Sequence, residues 1–559
     1  MGSHIFTESD LARLALTLLI LALGCGQRPE KPEGTAAGAG PISPEWVTVY
    51  NPKLAWNGYT LTLHDVRIPV LLDMNGRPVH GWPRARVKTR VRLLADGSIL
   101  GIGLGQSVVE YDWEGRQTWE FRTPRALPHH DVLRLANGNT LVLILPDGER
   151  ADTLLEVDRA GKVVWTWRAI EHLGGLIPAR PAHPNDLTHI NSLQELPENP
   201  WHAAGDRRFR PGNLLLSARN LNAVFVVDRE SGEVVWWHRD GLDRQHEALM
   251  NGPGLPAPGR IQLFNNRSRS FASDRQSELL EIDPRDGSVA WRYRSPGFFS
   301  PTGGVQQALP NGNVLVTSTR GGRVFEITRE GEIAWEWVPP YYEPVRAVRV
   351  APDACPQLAR LAAPIPRAVV PSPRYRHVDR EVYRFARRGS RTKAMVSGEA
   401  RVVLKQEDDC RGLMLPAAAT VQVGYGVDRE RLRAAGRADR PPLFTMRLRP
   451  AGAGADVELL RDTVGLDGPS WRQRKIPLGA YGFQTVRLCV EIDGGTPGPA
   501  RQRERFAYWE QPLISTPRDA ARLSGEDGDG DSPGPVPGDL SPEELEVRRK
   551  HLKALGYVG

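Results

Sequence analysis

A chain of 559 residues is too long for one ordinary hydrophobic core, so two domains or one large repeat architecture are expected. Its content of 25% charged and 40% hydrophobic residues is that of a globular protein and excludes disorder as a property of the whole chain. The net charge of +7 comes from scattered arginines without a recognised binding module or basic helix, which speaks against a nucleic-acid partner and for arginines that clamp small oxyanions.

In chain order, ARLALTLLILALGC holds an apolar run of about ten residues, half of what crossing a bilayer requires, so a signal-peptide core is expected over residues 1–25. LALGC is similar to a bacterial lipoprotein cleavage site. That likeness implies lipid on Cys25, a membrane anchor, and export to the periplasm or outer membrane. The Pro/Gly/Ala-rich stretch 26–44 reads as the linker of a tethered domain.

An internal repeat organises the next three hundred residues. An apolar strand, a glycine turn and a second strand reaching tryptophan recur six times, ending at Trp82, Trp119, Trp165, Trp236, Trp291 and Trp335. Each copy follows another glycine turn feeding an alternating strand, as in LADGSILGIG, LANGNTLVLIL and LPNGNVLVTS, and alternation between turn residues is the mark of hairpins. The chain is therefore expected to be all-β, with a six-bladed β-propeller at 45–340. The six tryptophans are expected to wedge between blades.

The first strand of a propeller blade lines the channel. In units three, four and five that strand begins with His130, His189 and His246, while Thr89 and Gly304 stand at the matching position of units two and six. Three imidazoles at one register should meet at one mouth of the channel. Such a cluster could bind zinc, or could serve as nucleophile, base and hydrogen-bond donor in transfer of an anionic group. Arg219 in LLLSARN, with Arg267 and Arg269 in LFNNRSR, favours the anionic substrate.

HHDVLRLANGNTL, DLTHINS, LLLSARNLNAVFVVD, RQHEAL with IQLFNN, and SPTGGVQQALPNGNVLVTSTRGGRVFEI together resemble the bacterial arylsulfate sulfotransferase family. The resemblance implies a six-bladed propeller that moves a sulfuryl group from an aryl sulfate ester to a phenolic acceptor without a nucleotide donor. It carries His189 and His246 over as site residues, and leaves Arg267 and Arg269 as alternatives for one arginine. This sequence departs from the family in the last blade: Thr317–Ile327 has no histidine to attack sulfur. With arginine unable to be that nucleophile, the expectation is direct transfer, with His189 or His246 as base, His130 beside them, and Arg320 or Arg323 holding the group. The alternative is a non-catalytic propeller that binds an anionic glycan or an aromatic ligand. No cofactor is expected, since neither a Gly-rich phosphate loop nor metal-type cysteine spacing occurs.

Residues 341–374 are rich in Ala, Pro and Arg and read as a linker. Strand-like pieces over 375–515 predict a small β-sandwich similar to galactose-binding-like jelly-roll modules, which implies a possible glycan partner there. Trp471 and Trp509 could stack on sugar, with core packing the competing role. Cys410 and Cys489 lie in strand-like segments and could pair in an exported protein. Residues 516–559 read as an acidic linker and a short helix capped by Ser541 and Glu544.

Overall fold

The computed structural model describes residues 42–516 apart from 65, 124, 269–275, 340–342, 372–376, 381, 386–390, 398, 407, 437–438, 452–454 and 495–504. The leader with Cys25, the arginine at Arg269 and the tail with Ser541 and Glu544 lie outside the described residues.

The strands from Val47 to Val350 form six antiparallel sheets arranged as propeller blades. Blades two to five are each built from four strands consecutive in the chain, and their inner strands are Val87–Leu93, Ala126–Arg134, Ile190–Glu195 and His246–Met250. The ends of the chain close the ring. The first blade takes its inner strand, Val348–Val350, from beyond the last blade and pairs it with Tyr59–His64. The last blade, with inner strand Val305–Ala308, accepts Val47–Tyr50 as a fifth, outer strand against Ile333–Trp337. The stretch 341–374 is thus not wholly a linker. VRV is too short a run to show as a strand in sequence, and it is held there because Tyr59, Thr60 and Leu61 would otherwise expose an unpaired edge.

The tryptophans join each blade to the next. Trp82, Trp119, Trp167, Trp236, Trp291 and Trp335 donate their indole N–H to the carbonyls of Asp112, Arg159, Gly232, Pro284, Arg329 and Met74, each in a turn of the following blade. The bond from Trp335 back to Met74 makes the circle continuous. In blade three the residue that bridges is Trp167 rather than Trp165; Trp165 instead lies beneath the Arg229 guanidinium, 4.1 Å from its ring centre. Both face the same side of a strand two residues apart and both reach blade four, Trp165 by packing and Trp167 by its hydrogen bond.

A charged hub plugs the centre. Arg90 of blade two meets Asp131 of blade three at 2.7 and 2.8 Å and Glu247 of blade five at 2.5 Å. Glu247 also accepts from Arg346, which precedes the first blade's inner strand and donates to the Asn191 carbonyl of blade four. All these side chains are buried. Burial disfavours each charge, and only the reciprocal pairing makes the set tolerable.

After the propeller, two antiparallel sheets face one another. One runs Asp409–Met414, Thr485–Asp493, Leu443–Pro450, Val457–Thr463; the other places Trp471–Pro477 and Ala507–Trp509 on either side of Thr420–Val427, which Leu513–Ser515 also joins. Val421, Val423, Tyr425 and Val427 alternate inward against Phe444, Met446, Leu448, Leu488 and Val490 in a shared core. Trp509 is buried in this core, whereas Trp471 stays partly exposed under Arg401, whose guanidinium is 4.4 Å from its ring centre. Cys410 and Cys489 stand directly opposite in neighbouring strands and form a disulfide.

Phe299, from the connection between blades five and six, enters the same core beside Val378, Val382 and Phe385. Asp379 pins this junction. Its carboxylate accepts from the Phe299 amide at 2.9 Å and the Ser318 hydroxyl at 2.6 Å, and pairs with Arg323 at 2.8 Å.

Candidate active site

The DLTHINS segment is held at almost every residue. His189 has φ +50°, a left-handed backbone that costs a non-glycine residue about 1–3 kcal/mol unless its surroundings impose it. Asp152 imposes it: one carboxylate oxygen accepts from the Thr188 hydroxyl and from the Ile190 amide, both at 2.6 Å, bracketing His189 on either side. Asn191 donates to the Gln245 carbonyl and Ser192 accepts from the Ala248 amide, tying the segment to blade five. The ring of His189 is then fixed by Asp186, whose carboxylate lies 2.5 Å from Nδ1. The spacing of three residues between Asp186 and His189 was readable in sequence, but its meaning depends on the turn between them.

The Nε2 atoms of His189 and His130 are 3.0 Å apart, so these two imidazoles share one proton between facing nitrogens. His130 too has a left-handed backbone, φ +55°, at an irregularity in its strand pairing. Burial pushes His130 well below the ordinary histidine range, and the neighbouring His189, His129, Arg346 and His246 push it further. It is therefore neutral. Asp186 is drawn two ways: burial raises its carboxyl, but the contact with the His189 ring prevails and holds it below the usual carboxylate range.

His246 joins the cluster electrostatically and is committed elsewhere. Asn266 donates its amide N–H groups to the carbonyls of Ser300 and Gly303, so its Oδ1 must accept, and His246 Nδ1 donates to it at 2.7 Å. The remaining nitrogen, Nε2, accepts from the Gly303 amide at 3.3 Å. This is a neutral ring with its lone pair engaged, and burial followed by the charge of Arg219 lowers its pKa well below the ordinary value. The register differs from the sequence alignment: the left-handed residue of this strand is Glu247, one beyond His246, and its side chain enters the central hub. Gly304 holds φ +114° and a Cβ there would lie 2.8 Å from the Phe264 ring, so blade six can carry no histidine at that position.

The arginines divide. Arg219 is buried, its amide donates to the His189 carbonyl, and its charge acts on His246, His183 and Asp186. Arg267 lies at the end of the Asn266 segment, where its side chain donates to the Gln276 carbonyl at 3.4 Å. Arg323 is not at the site. It is buried between Glu336 and Asp379, 2.8 Å from each, with its guanidinium 4.0 Å from the Phe325 ring centre, because its strand position points it at the junction with the sandwich. Arg320 is paired with Glu343 at 3.0 Å and lines a cleft facing the sandwich. Neither is brought to the histidines.

Sequence reasoning passed over several neighbours. His183 accepts from Arg244 at 2.7 Å, and burial, then Arg244 and Arg219, lower its pKa. Lys88, the residue before Thr89 in blade two, is pushed down to about 8 by burial. The Arg244 partner of His183 comes from the segment that leads into blade five, so no local pattern marks that pair. Among the described residues, no group of three or more His, Cys, Asp and Glu side chains is placed to hold a metal ion.

A buried imidazole oriented by a carboxylate, next to a second imidazole and a buried arginine, is equipped to accept a proton or attack an electrophile carrying negative oxygens. Residues 91–339 match the arylsulfotransferase (ASST) family model. The match spans the Asp186, His189, His130 and His246 cluster and supports an arylsulfotransferase-like function. No curated protein matches the chain. Among solved structures, a protein of unknown function from Bacteroides caccae is similar over 52% of this chain and 100% of its own, at 14% identity and TM-score 0.37. A streptogramin B lyase is similar over 54% of this chain and 83% of its own, at 14% identity and TM-score 0.34. The WD40 propeller domain of Doa1 aligns over 49% and 74%, at 14% identity and TM-score 0.31.

Proposed function

We propose that the protein transfers a sulfuryl group from an aryl sulfate ester to a phenolic acceptor, with His189 as general base. The observation that carries this is the chain of contacts from Asp186 to His189 to His130, within the segment that matches the arylsulfotransferase family.

The acceptor hydroxyl takes the place of His130 at His189 Nε2 and gives its proton there as its oxygen forms the new bond to sulfur. The sulfur to aryl-oxygen bond breaks, and the departing aryl oxide recovers the proton. The imidazolium formed in between is stabilised by Asp186, as an aspartate stabilises a catalytic histidine elsewhere. His130, neutral at rest, donates to His189 Nε2 and keeps that lone pair aligned until the acceptor arrives. Arg219 supplies positive charge for the sulfuryl oxygens; placement and neutralisation of those oxygens are where such transfers gain most of their rate. His246 keeps Gly303 and Asn266 in place and remains neutral, which replaces the expectation that it could be the base. The membrane-anchored, exported location expected from LALGC belongs to the same reading, since an extracytoplasmic enzyme has no access to a nucleotide sulfate donor.

Incubation of purified protein with a chromogenic aryl sulfate, with and without a phenol, tests the reading. Release of the chromophore that depends on the phenol supports transfer. Release without it means hydrolysis, and binding without release makes the propeller a binding protein. Activity unchanged in His189→Ala would remove His189 from the mechanism.

A further inference from the structure

A second candidate binding site lies between the last blade and the sandwich. The cleft has a volume of about 640 Å³, within the range that encloses a small organic ligand. Among the described residues that line it, four arginines, Arg320, Arg380, Arg384 and Arg391, stand with two carboxylates, Glu343 and Glu510.

A bare inorganic anion is a poor match, because the two carboxylates would repel it. A ligand that brings both acidic groups and hydroxyl donors satisfies both signs. The floor is the outer face of the Thr420–Val427 strand and its neighbour, where Gln422 and Gln473 present amides able to donate and accept. Gly424 lies in this floor, and a Cβ there would fall 2.1 Å from the Glu510 carboxylate, so the glycine lets that carboxylate lie flat against the sheet. Burial raises the pKa of Glu510. The walls add apolar surface: Val402 is 43% and Leu513 41% exposed, unusual for these residue types, and both line the cleft. Cationic forks, mixed amides and small apolar patches together suit a saccharide ring bearing acid groups. An extended acidic peptide fits less well, since the floor strand is paired on both sides and offers no backbone edge for strand addition.

We propose that this cleft binds an anionic oligosaccharide, with acid groups on Arg380, Arg384 and Arg391 and hydroxyls on Glu343, Glu510 and the glutamine amides. The site adjoins the histidine cluster through the Arg320 turn. The Arg320 amide donates to Ser300 Oγ, the Ser300 carbonyl accepts from Asn266, and Asn266 holds His246. The binding itself does not depend on the transferase reading.

The test is titration of the full chain with a fluorescein-labelled chondroitin sulfate hexasaccharide, alongside inorganic sulfate, neutral chitohexaose and a hexaglutamate peptide. Saturable binding of the sulfated sugar that weakens with salt is expected. The Arg384→Ala, Arg391→Ala double variant should lose about tenfold or more in affinity, equivalent to about 1.4 kcal/mol. Arg433→Ala, on the exposed side of the helix Arg429–Ala434, and His189→Ala should bind as the unaltered protein does. Unchanged affinity in the double variant overturns the proposal, as does equal binding of chitohexaose, sulfate or hexaglutamate. Absence of binding overturns it too, and loss of binding in His189→Ala would move the ligand to the histidine cluster.

Discussion

His130 and His189, fifty-nine residues apart in the chain and on neighbouring blades, face each other with Nε2 atoms 3.0 Å apart, and Asp186 holds the far side of His189. This alignment makes the behaviour of each group depend on the other two.

Asp186→Asn should be far more damaging than the loss of one charge. An amide can turn its N–H toward His189 Nδ1 and reverse the tautomer, leaving Nε2 protonated and unable to accept the acceptor's proton. A fall in kcat of roughly 10²–10⁴-fold is expected, by analogy with an oriented catalytic histidine. Circular dichroism should show folding retained while turnover of the aryl sulfate collapses.

Stability should decline in mild acid. His130 and His246 have folded-state values well below 6.5, so the unfolded chain binds protons that the folded protein refuses. Stability is full above the unfolded value and is lost as pH falls below it, by about 1.4 kcal/mol per pH unit for each histidine. Urea midpoints measured from pH 7.5 down to pH 5 should therefore fall, and less steeply in His130→Gln. A midpoint independent of pH across that window would show that these rings are protonated in the folded state.

Arginines at different places should fail differently. Arg323→Ala strands Glu336 and Asp379 in a buried site, and removing one member of such a set costs about 3–5 kcal/mol. Arg219→Ala should instead raise KM for the aryl sulfate with a smaller change in the urea midpoint. The opposite pattern would return Arg323 to substrate binding.

Glu247→Ala should destabilise the whole propeller, because Arg90 and Arg346 would both lose a buried counter-charge. A loss of about 3–5 kcal/mol is expected from urea unfolding. Glu247→Gln, which keeps the shape and one acceptor, should cost less.

Reduction of the Cys410 to Cys489 disulfide should weaken the sandwich by roughly 2–4 kcal/mol, since it closes a long loop in the unfolded chain. Differential scanning calorimetry with and without reductant should show a transition that shifts while the rest stays put.

The repeat made the blades legible. Glycine turns and alternating strands declare themselves over ten residues, because strand pairing inside a blade is local. The DLTHINS histidine and its likeness to a family could be read for the same reason. What stayed hidden depends on distant partners. VRV at 348–350 is a strand only because the first blade has an edge to cover. Of two tryptophans on one face of a strand, Trp167 meets the Gly232 carbonyl of blade four and Trp165 the Arg229 guanidinium, a division that depends on the neighbouring blade.

An all-β chain of six repeats, with histidines at matching register, follows from the order of residues, since alternation, turns and composition are properties of neighbours along the chain. Which groups act together follows from the folding of the blades around one another. It joined His189 to His130 and Asp186, gave His246 to Asn266 and Gly303, drew Glu247 into the hub, and buried Arg323 at the sandwich junction. The reason is physical: proton affinity and charge compensation are set by atoms within a few ångströms, and here those atoms come from different blades.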